Sequence, residues 1–317
     1  MDIAEKLRLS IKDLPEGEYT RGLTAIVRHV EAAIRHFDRA DTSEDEDAYT
    51  DCIYRTNQVY EGSLKEAYRI LSGGSPNKKS LFDIEKYFDN DSSIRSRVIK
   101  QMSRYREDYR NPSTHDYNLD FDENEAILAI LSVTAFAKLL VAQMKSKIDA
   151  DTLRNDPSFK PASKVSQKAD SVGEFAEELA HSLEKFLNND AEHLDLASRE
   201  PVALVTAFLE KSGLEIVRDV YMEMDQDWIE WDVIVTNKSG YKVPIEVKTS
   251  RGRYSPSIAA SRIAQVRNFA QVSDYKHALL VEGAGRGTKY VWEKVIDTTD
   301  LTLHRVGRPL EIAQESE

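Results

Sequence analysis

Residues 228–250 read WIEWDVIVTNKSGYKVPIEVKTS. Trp231, Val233 and Val235 alternate with Asp232 and Ile234, and Val243, Ile245 and Val247 alternate with Pro244, Glu246 and Lys248. A period of two predicts a pair of half-buried strands, with Asn237 to Gly240 as the turn between them. Residues two apart in a strand share a face, so Glu246 and Lys248 stand together, and a hairpin brings Asp232 beside them. Two carboxylates and an amine in one small site suit a hard divalent cation, which takes oxygen ligands. Such a cation makes water a usable nucleophile near neutral pH. The same residues would also serve as an exposed strand face carrying an ordinary ion pair, worth about 0–1 kcal/mol. The order of the flanking elements therefore matters.

Upstream, Glu200 precedes Pro201, which suits a first helical position, and Val202, Val205, Phe208 and Leu209 form one apolar stripe ending at Gly213. Leu214 to Met222 reads as a strand. Downstream, Ser257 to Val272 is predicted helical, with Ile263, Val266, Phe269 and Ala270 toward a core and Ser261, Gln265 and Asn268 on another side. Ala278 to Val281 and Lys289 to Trp292 are the last strands expected, Gly283 to Gly287 reads as a turn, and the tail beyond Arg308 reads as frayed.

This order of helix, strand, Asp strand, Glu-x-Lys strand and helix, with thirteen residues between Asp232 and Glu246-Val247-Lys248, resembles the PD-(D/E)xK nuclease superfamily and its restriction-endonuclease-like fold. The resemblance implies a nuclease using Mg²⁺ (or Mn²⁺), held by Asp232, Glu246 and the Val247 carbonyl. Lys248 would serve the attacking water or the scissile phosphate, Glu200 would be the acidic residue of the preceding helix, and Gln265 the polar residue of the following one. Arg251, Arg253, Arg262 and Arg267 surround these positions and could contact phosphates or simply solvate a surface.

The first 150 residues read as helical. Thr24 to Phe37, Tyr49 to Leu71, Ser80 to Phe88 and Ser92 to Tyr109 carry helical spacing, the last with Arg95, Arg97, Lys100, Arg104 and Arg106 on its exposed side. Pro112 is expected to break that helix, with a loop following over Asp116 to Asp120. Asp122-Glu123-Asn124-Glu125 offers a capping box for a helix to about Ile148 that is apolar almost all round. Helices of that kind lie at a bundle centre or a subunit interface. Arg110-Asn111-Pro112-Ser113-Thr114-His115 followed by a long apolar helix resembles the HEPN family of helical bundles. That likeness implies a homodimer whose paired protomers form one groove, with Arg110 at the phosphate, Asn111 as a further motif residue of the catalytic set and His115 as general acid/base toward a 2′-hydroxyl, without metal. The side chains suit those roles, since histidine titrates near neutrality and arginine binds phosphate as a fork. Equally, His115 could cap a helix in a purely structural segment.

Formal net charge is −12 with 31% charged residues, which counts against broad nonspecific DNA binding through a basic surface. Cys52 is the one cysteine, so no intrachain disulfide forms, as suits a reducing compartment. The start of the chain lacks the apolar run of a signal peptide, and Ala126 to Met144 is too short and polar for a membrane span. The histidines lack zinc-ligand spacing. The expectation is an α+β chain: an N-terminal all-α helical bundle over 1–150, a linker and connecting helix over 151–190, and a C-terminal α/β restriction-endonuclease-like domain over 191–317. Three readings stay open: a metal-dependent nuclease at Asp232, Glu246 and Lys248; a metal-independent ribonuclease at Arg110 and His115 with the C-terminal domain targeting it; and a non-catalytic nucleic-acid-binding or regulatory protein. The expected setting is cytoplasmic, in prokaryotic anti-phage defence or toxin action. The expected partners are DNA or RNA, a second copy of the chain and a defence-system protein, with no membrane.

Overall fold

The computed structural model describes residues 2–43, 45–90, 94–116, 118–157, 159, 165, 168–190, 201–223, 228–249, 255–283 and 289–310. The chain is α+β, helical in its first part and built on a mixed six-stranded sheet in its last. It divides into two compact units, Met1–Ile148 and Asp149–Glu317.

The first unit holds α1 (Ile3–Lys12), α2 (Thr20–Ser43), α3 (Asp47–Leu71), α4 (Leu81–Asn90), α5 (Ser96–Tyr105), α6 (Asn111–His115) and most of α7 (Glu123–Asn155). Apolar residues at helical spacing bring Ile26 and Val30 of α2, Val59 and Leu64 of α3 and Phe136 and Leu140 of α7 into one core. The Tyr60 ring sits against Tyr105 at 5.0 Å and Phe136 at 5.5 Å. At the start of α7 the Glu125 N–H donates to Asp122 Oδ1 at 2.9 Å and the Asp122 N–H donates to Glu125 Oε2 at 3.0 Å, a reciprocal cap. Among the described residues α7 alone is long and apolar enough to cross a membrane by length and composition. Half of that apolar window is buried inside the protein.

Pro112 does not break the helix, contrary to the reading of the sequence. The chain stays helical from Ser96 to His115, passing through a π turn over Arg106–Arg110. An interior proline clashes with the carbonyl four residues earlier and cannot donate to it. The wider π turn, in which the Asn111 N–H reaches Arg106 O, makes room just ahead of the ring, so Pro112 enters α6 at its first turn, where a missing donor costs little.

In the second unit the sheet runs β1 (Glu215–Glu223), β2 (Trp228–Thr236), β3 (Lys242–Thr249), β4 (His277–Gly283), β6 (Thr302–Gly307) and β5 (Val291–Asp297), in that spatial order. Consecutive β1, β2 and β3 pair antiparallel, β3–β4 and β4–β6 pair parallel, and β5–β6 pairs antiparallel. Helices α8 (Val172–Lys185) and α9 (Pro201–Lys211) cover one face through Phe175, Leu179, Val205 and Phe208, which meet Val243, Ile245 and Val247 of β3. The stretch 151–190 thus supplies α8 to this unit's core. Helix α10 (Pro256–Val272) covers the other face with Val266 and Ala270 against Ala278 and Leu280 of β4. Central β3 and β4 are consequently buried on both faces.

Two features depart from the sequence reading. Strand β6 was not expected, because His304 and Arg305 interrupt its apolar pattern; both are buried there. Trp231 was expected on the same face as Val233 and Val235. Instead Ile229 and Trp231 join the α10-side core, while Val233 and Val235 join the α8/α9 side. The alternation inverts at Asp232. Asp219, flanked by the pairs Arg218↔Val233 and Val220↔Trp231, has a φ of 49° at this point. A left-handed residue disturbs the pleat locally, and Asp adopts that conformation more readily than most.

Candidate functional site

The inversion at Asp232 has a second consequence. The β2–β3 ladder runs from Thr236↔Lys242 to Val233↔Ile245 and ends there, while β2 continues on β1 to Trp228. Where the next rung would lie, the Asp232 carboxylate accepts the Val247 N–H through Oδ2 at 2.8 Å. A side chain has taken the place of a backbone partner, and the two strands part beside Glu246.

Glu246 lies on the α10 side of β3, opposite Leu280 of β4, and is 4% exposed. Its Oε1 is bonded by the Lys248 ammonium. Its Oε2 is buried without a hydrogen-bond partner. Burial, reinforced by the nearby Asp232 charge and opposed by Lys248, pushes the Glu246 carboxyl up to about 7. Orphaned buried carboxylate oxygens are costly, so an unpartnered one beside a second carboxylate fits a bound cation. Among the described residues no group of three or more His, Cys, Asp and Glu side chains could hold a metal ion. Two carboxylates do fit Mg²⁺, which keeps several waters and needs only one or two protein carboxylates beside substrate phosphates.

The raised acid sets a pH dependence for the metal-free protein. A folded-state value above the ordinary 4.5 means that the native state holds the proton more tightly. Stability is therefore lost as pH rises from about 4.5 through about 7. Glu246→Gln removes this slope. In EDTA, urea unfolding is expected to show the Gln variant more stable than wild type at pH 8 by up to about 3 kcal/mol, the gap closing at pH 5. An equal gap at both pH values would refute a buried, ionising Glu246.

Around this centre, Pro201 at the start of α9 lies close to Gly283 at the end of β4, where an added Cβ would meet its ring at 3.2 Å. Glu200, Arg251, Arg253 and the turn residues 284–287 lie outside the described residues. Gln265 is exposed on α10. The α10 residue that reaches the strand ends is Arg262: its Nη2 donates to Thr249 O at 2.9 Å and its Nη1 to Glu282 Oε1 at 3.0 Å. Glu282 also accepts Arg305 Nε at 2.7 Å, and Arg305 Nη1 donates to Glu293 at 2.8 Å. The sequence reading saw Arg262 only as one of several arginines and missed the other three. Their signal was faint, namely charged residues inside apolar strands.

In the first unit, Arg110 closes the π turn and its Nη1 donates to Asn111 Oδ1 at 2.8 Å. Asn57 of α3 anchors the segment, its Nδ2 donating to Ser113 Oγ at 2.7 Å while its Oδ1 accepts the Tyr105 hydroxyl at 3.1 Å. Ser113 in turn donates to Arg110 O at 3.1 Å. His115 is exposed. Five residues of helix separate Arg110 and His115 by about 140° around the axis, so one protomer's helix does not aim them at one point. Comparison of the chain with known families, curated proteins and solved structures gives no match.

Proposed function

We propose that the chain is a divalent-cation-dependent nuclease of PD-(D/E)xK type, acting at Asp232, Glu246 and Lys248. One observation carries this reading: a buried glutamate with an unpartnered oxygen, set in the parting of two strands beside Asp232 and bonded by Lys248. Asp232, Glu246 and the Val247 carbonyl would hold Mg²⁺ (or Mn²⁺), with Glu200 and Gln265 as further polar members. When bound, the cation supplies Lewis-acid charge at the scissile phosphate and lowers the pKa of water. The chain's own part is positional. Asp232 is fixed by the Val247 N–H, Glu246 by burial, and the Lys248 ammonium stands at the same carboxylate, where it can orient water or offset phosphate charge. Incubation with DNA and RNA oligonucleotides in Mg²⁺ or Mn²⁺, with and without EDTA, tests the proposal. Cleavage lost in EDTA and restored by metal supports it. Absence of cleavage in metal, with nucleic acid still bound, favours the non-catalytic reading.

The second reading is a HEPN-type, metal-independent ribonuclease at Arg110, Asn111 and His115. It draws support from the π turn ending at Arg110, since single π turns within helices recur at functional sites, and from the exposure of His115. RNA cleavage that survives EDTA would favour it.

The helical unit is taken to pair two chains. Ile127, Leu128 and Leu131 expose 43%, 52% and 45% of their surface on α7. The expected mass by light scattering at micromolar concentration is twice 36.0 kDa, falling to the monomer in Leu128→Lys/Leu131→Lys. A wild-type monomer would remove the paired groove that the second reading needs. The proposed setting is cytoplasmic, in prokaryotic defence or toxin action, with a defence-system protein as a further partner.

A further inference from the structure

Lys248 poses a positioning problem. Its amine must stay at Glu246, yet it rides on a flexible four-carbon stem at the end of β3, where Thr249 is already exposed. What the fold can fix is the backbone beneath it. Arg262 does this from α10 by gripping Thr249 O with one guanidinium nitrogen and Glu282 Oε1 with the other. Glu282 is the register partner of Lys248 on β4, so one arginine ties the two strand ends together just behind the amine.

The anchor is itself immobilised. Glu282 is 2% exposed and Arg305 is fully buried. Arg305 bonds Glu282 Oε2, Glu293 and the Arg308 carbonyl, the last at 2.8 Å. An added Cβ at Gly307 would stand 2.8 Å from Arg305 Nη2 and 2.9 Å from Glu282 Oε2, so a larger residue there would push the ends of the pair aside. A buried ion pair of this kind is weak ground for stability, because packed apolar residues often do as well. Fully satisfied polar networks do rigidify what they touch. What this one touches is the end of the strand that carries Glu246 and Lys248.

We propose that Arg262 is a positioning residue, which locks the Lys248–Thr249 end of β3 to Glu282 and so keeps the Lys248 amine on the Glu246 carboxylate. The inference rests on the nuclease reading for its consequence but not for its structural core.

Two readouts test it. The first is amide hydrogen exchange over Glu246–Thr249 in the metal-free protein. Arg262→Ala is expected to speed exchange there at least about tenfold, with the cores on either sheet face unchanged. The second is steady-state cleavage of oligonucleotides in Mg²⁺. In Arg262→Ala, kcat is expected to fall about 10- to 100-fold with KM within about threefold, since misplacement of a reacting group by an ångström costs on that order. Arg262→Lys, which can reach one acceptor but not both, is expected to recover part of each effect, and it decides the matter if the Ala variant does not fold. Unchanged exchange and unchanged kcat in Arg262→Lys and Arg262→Ala, with Glu246→Ala inactive, would overturn the inference and leave the nuclease reading standing. A fully active Glu246→Ala would instead remove the nuclease reading, and exchange alone would then judge whether Arg262 holds the strand end.

Discussion

Glu246→Ala is expected to abolish divalent-cation-dependent cleavage, lowering the rate by at least about 10³-fold, or about 4 kcal/mol of transition-state stabilisation. The size follows from where the carboxylate sits. Glu246 is buried, one oxygen lacks a partner, and its burial together with the nearby Asp232 charge raises its pKa, so its ionised form gains from a cation placed beside it. Asp232→Ala should match it, because it removes one carboxylate and also releases the Val247 N–H. Lys248→Ala should come near it. Circular dichroism and urea unfolding establish that each variant folds, and cleavage is then measured across Mg²⁺ concentrations. A double Asp232→Ala/Glu246→Ala variant that cuts as well as wild type would end the assignment.

Growth inhibition by the overexpressed chain is expected to vanish with Glu246→Ala and to persist at least in part with His115→Ala. The two sites differ in completeness within one chain. Asp232, Val247, Glu246 and Lys248 are already joined by hydrogen bonds on adjacent strands. Arg110 and His115 point apart on one helical run and need a second protomer to make a groove. An acidic chain also gains from a metal, which neutralises charge between carboxylates and phosphate. If His115 were the general acid/base of the dominant reaction, its loss would cost about 10²- to 10⁴-fold. Viability counts of hosts expressing each variant discriminate between the sites. Toxicity lost only in His115→Ala would move the chemistry to the helical unit and make RNA the substrate.

The parts of the fold that could be read in the sequence share one property: they are set by neighbours in the chain. The Asp122/Glu125 cap was visible because it is completed within four residues. The longer helices of the first unit, α2, α3 and α7, together with α4 and α5, were visible from their periods, as were five of the six strands, whereas α1 and α6 were not read. Pro112 misled because its effect depends on a widened turn just before it, and the sequence of that turn, Arg106 to Arg110, has no distinguishing composition. Strand β6 stayed hidden because its central His304 and Arg305 look solvent-facing, whereas their burial is met by partners distant in the chain, among them Glu282, Glu293 and Trp292.

The same division runs through the candidate site. Sequence by itself determined that Asp232, Glu246 and Lys248 would share a small region, because side-chain alternation and a short turn are local geometry. Tertiary structure alone decided what kind of region it is. The face change at Asp232 depends on a left-handed Asp219 on another strand, and the burial of Glu246 depends on β4 and α10. The grip on Thr249 depends on an arginine thirteen residues away and on a glutamate and an arginine farther still. Burial and pairing set a carboxylate's charge and motion, and both come from elements distant in the chain, which a local pattern cannot encode.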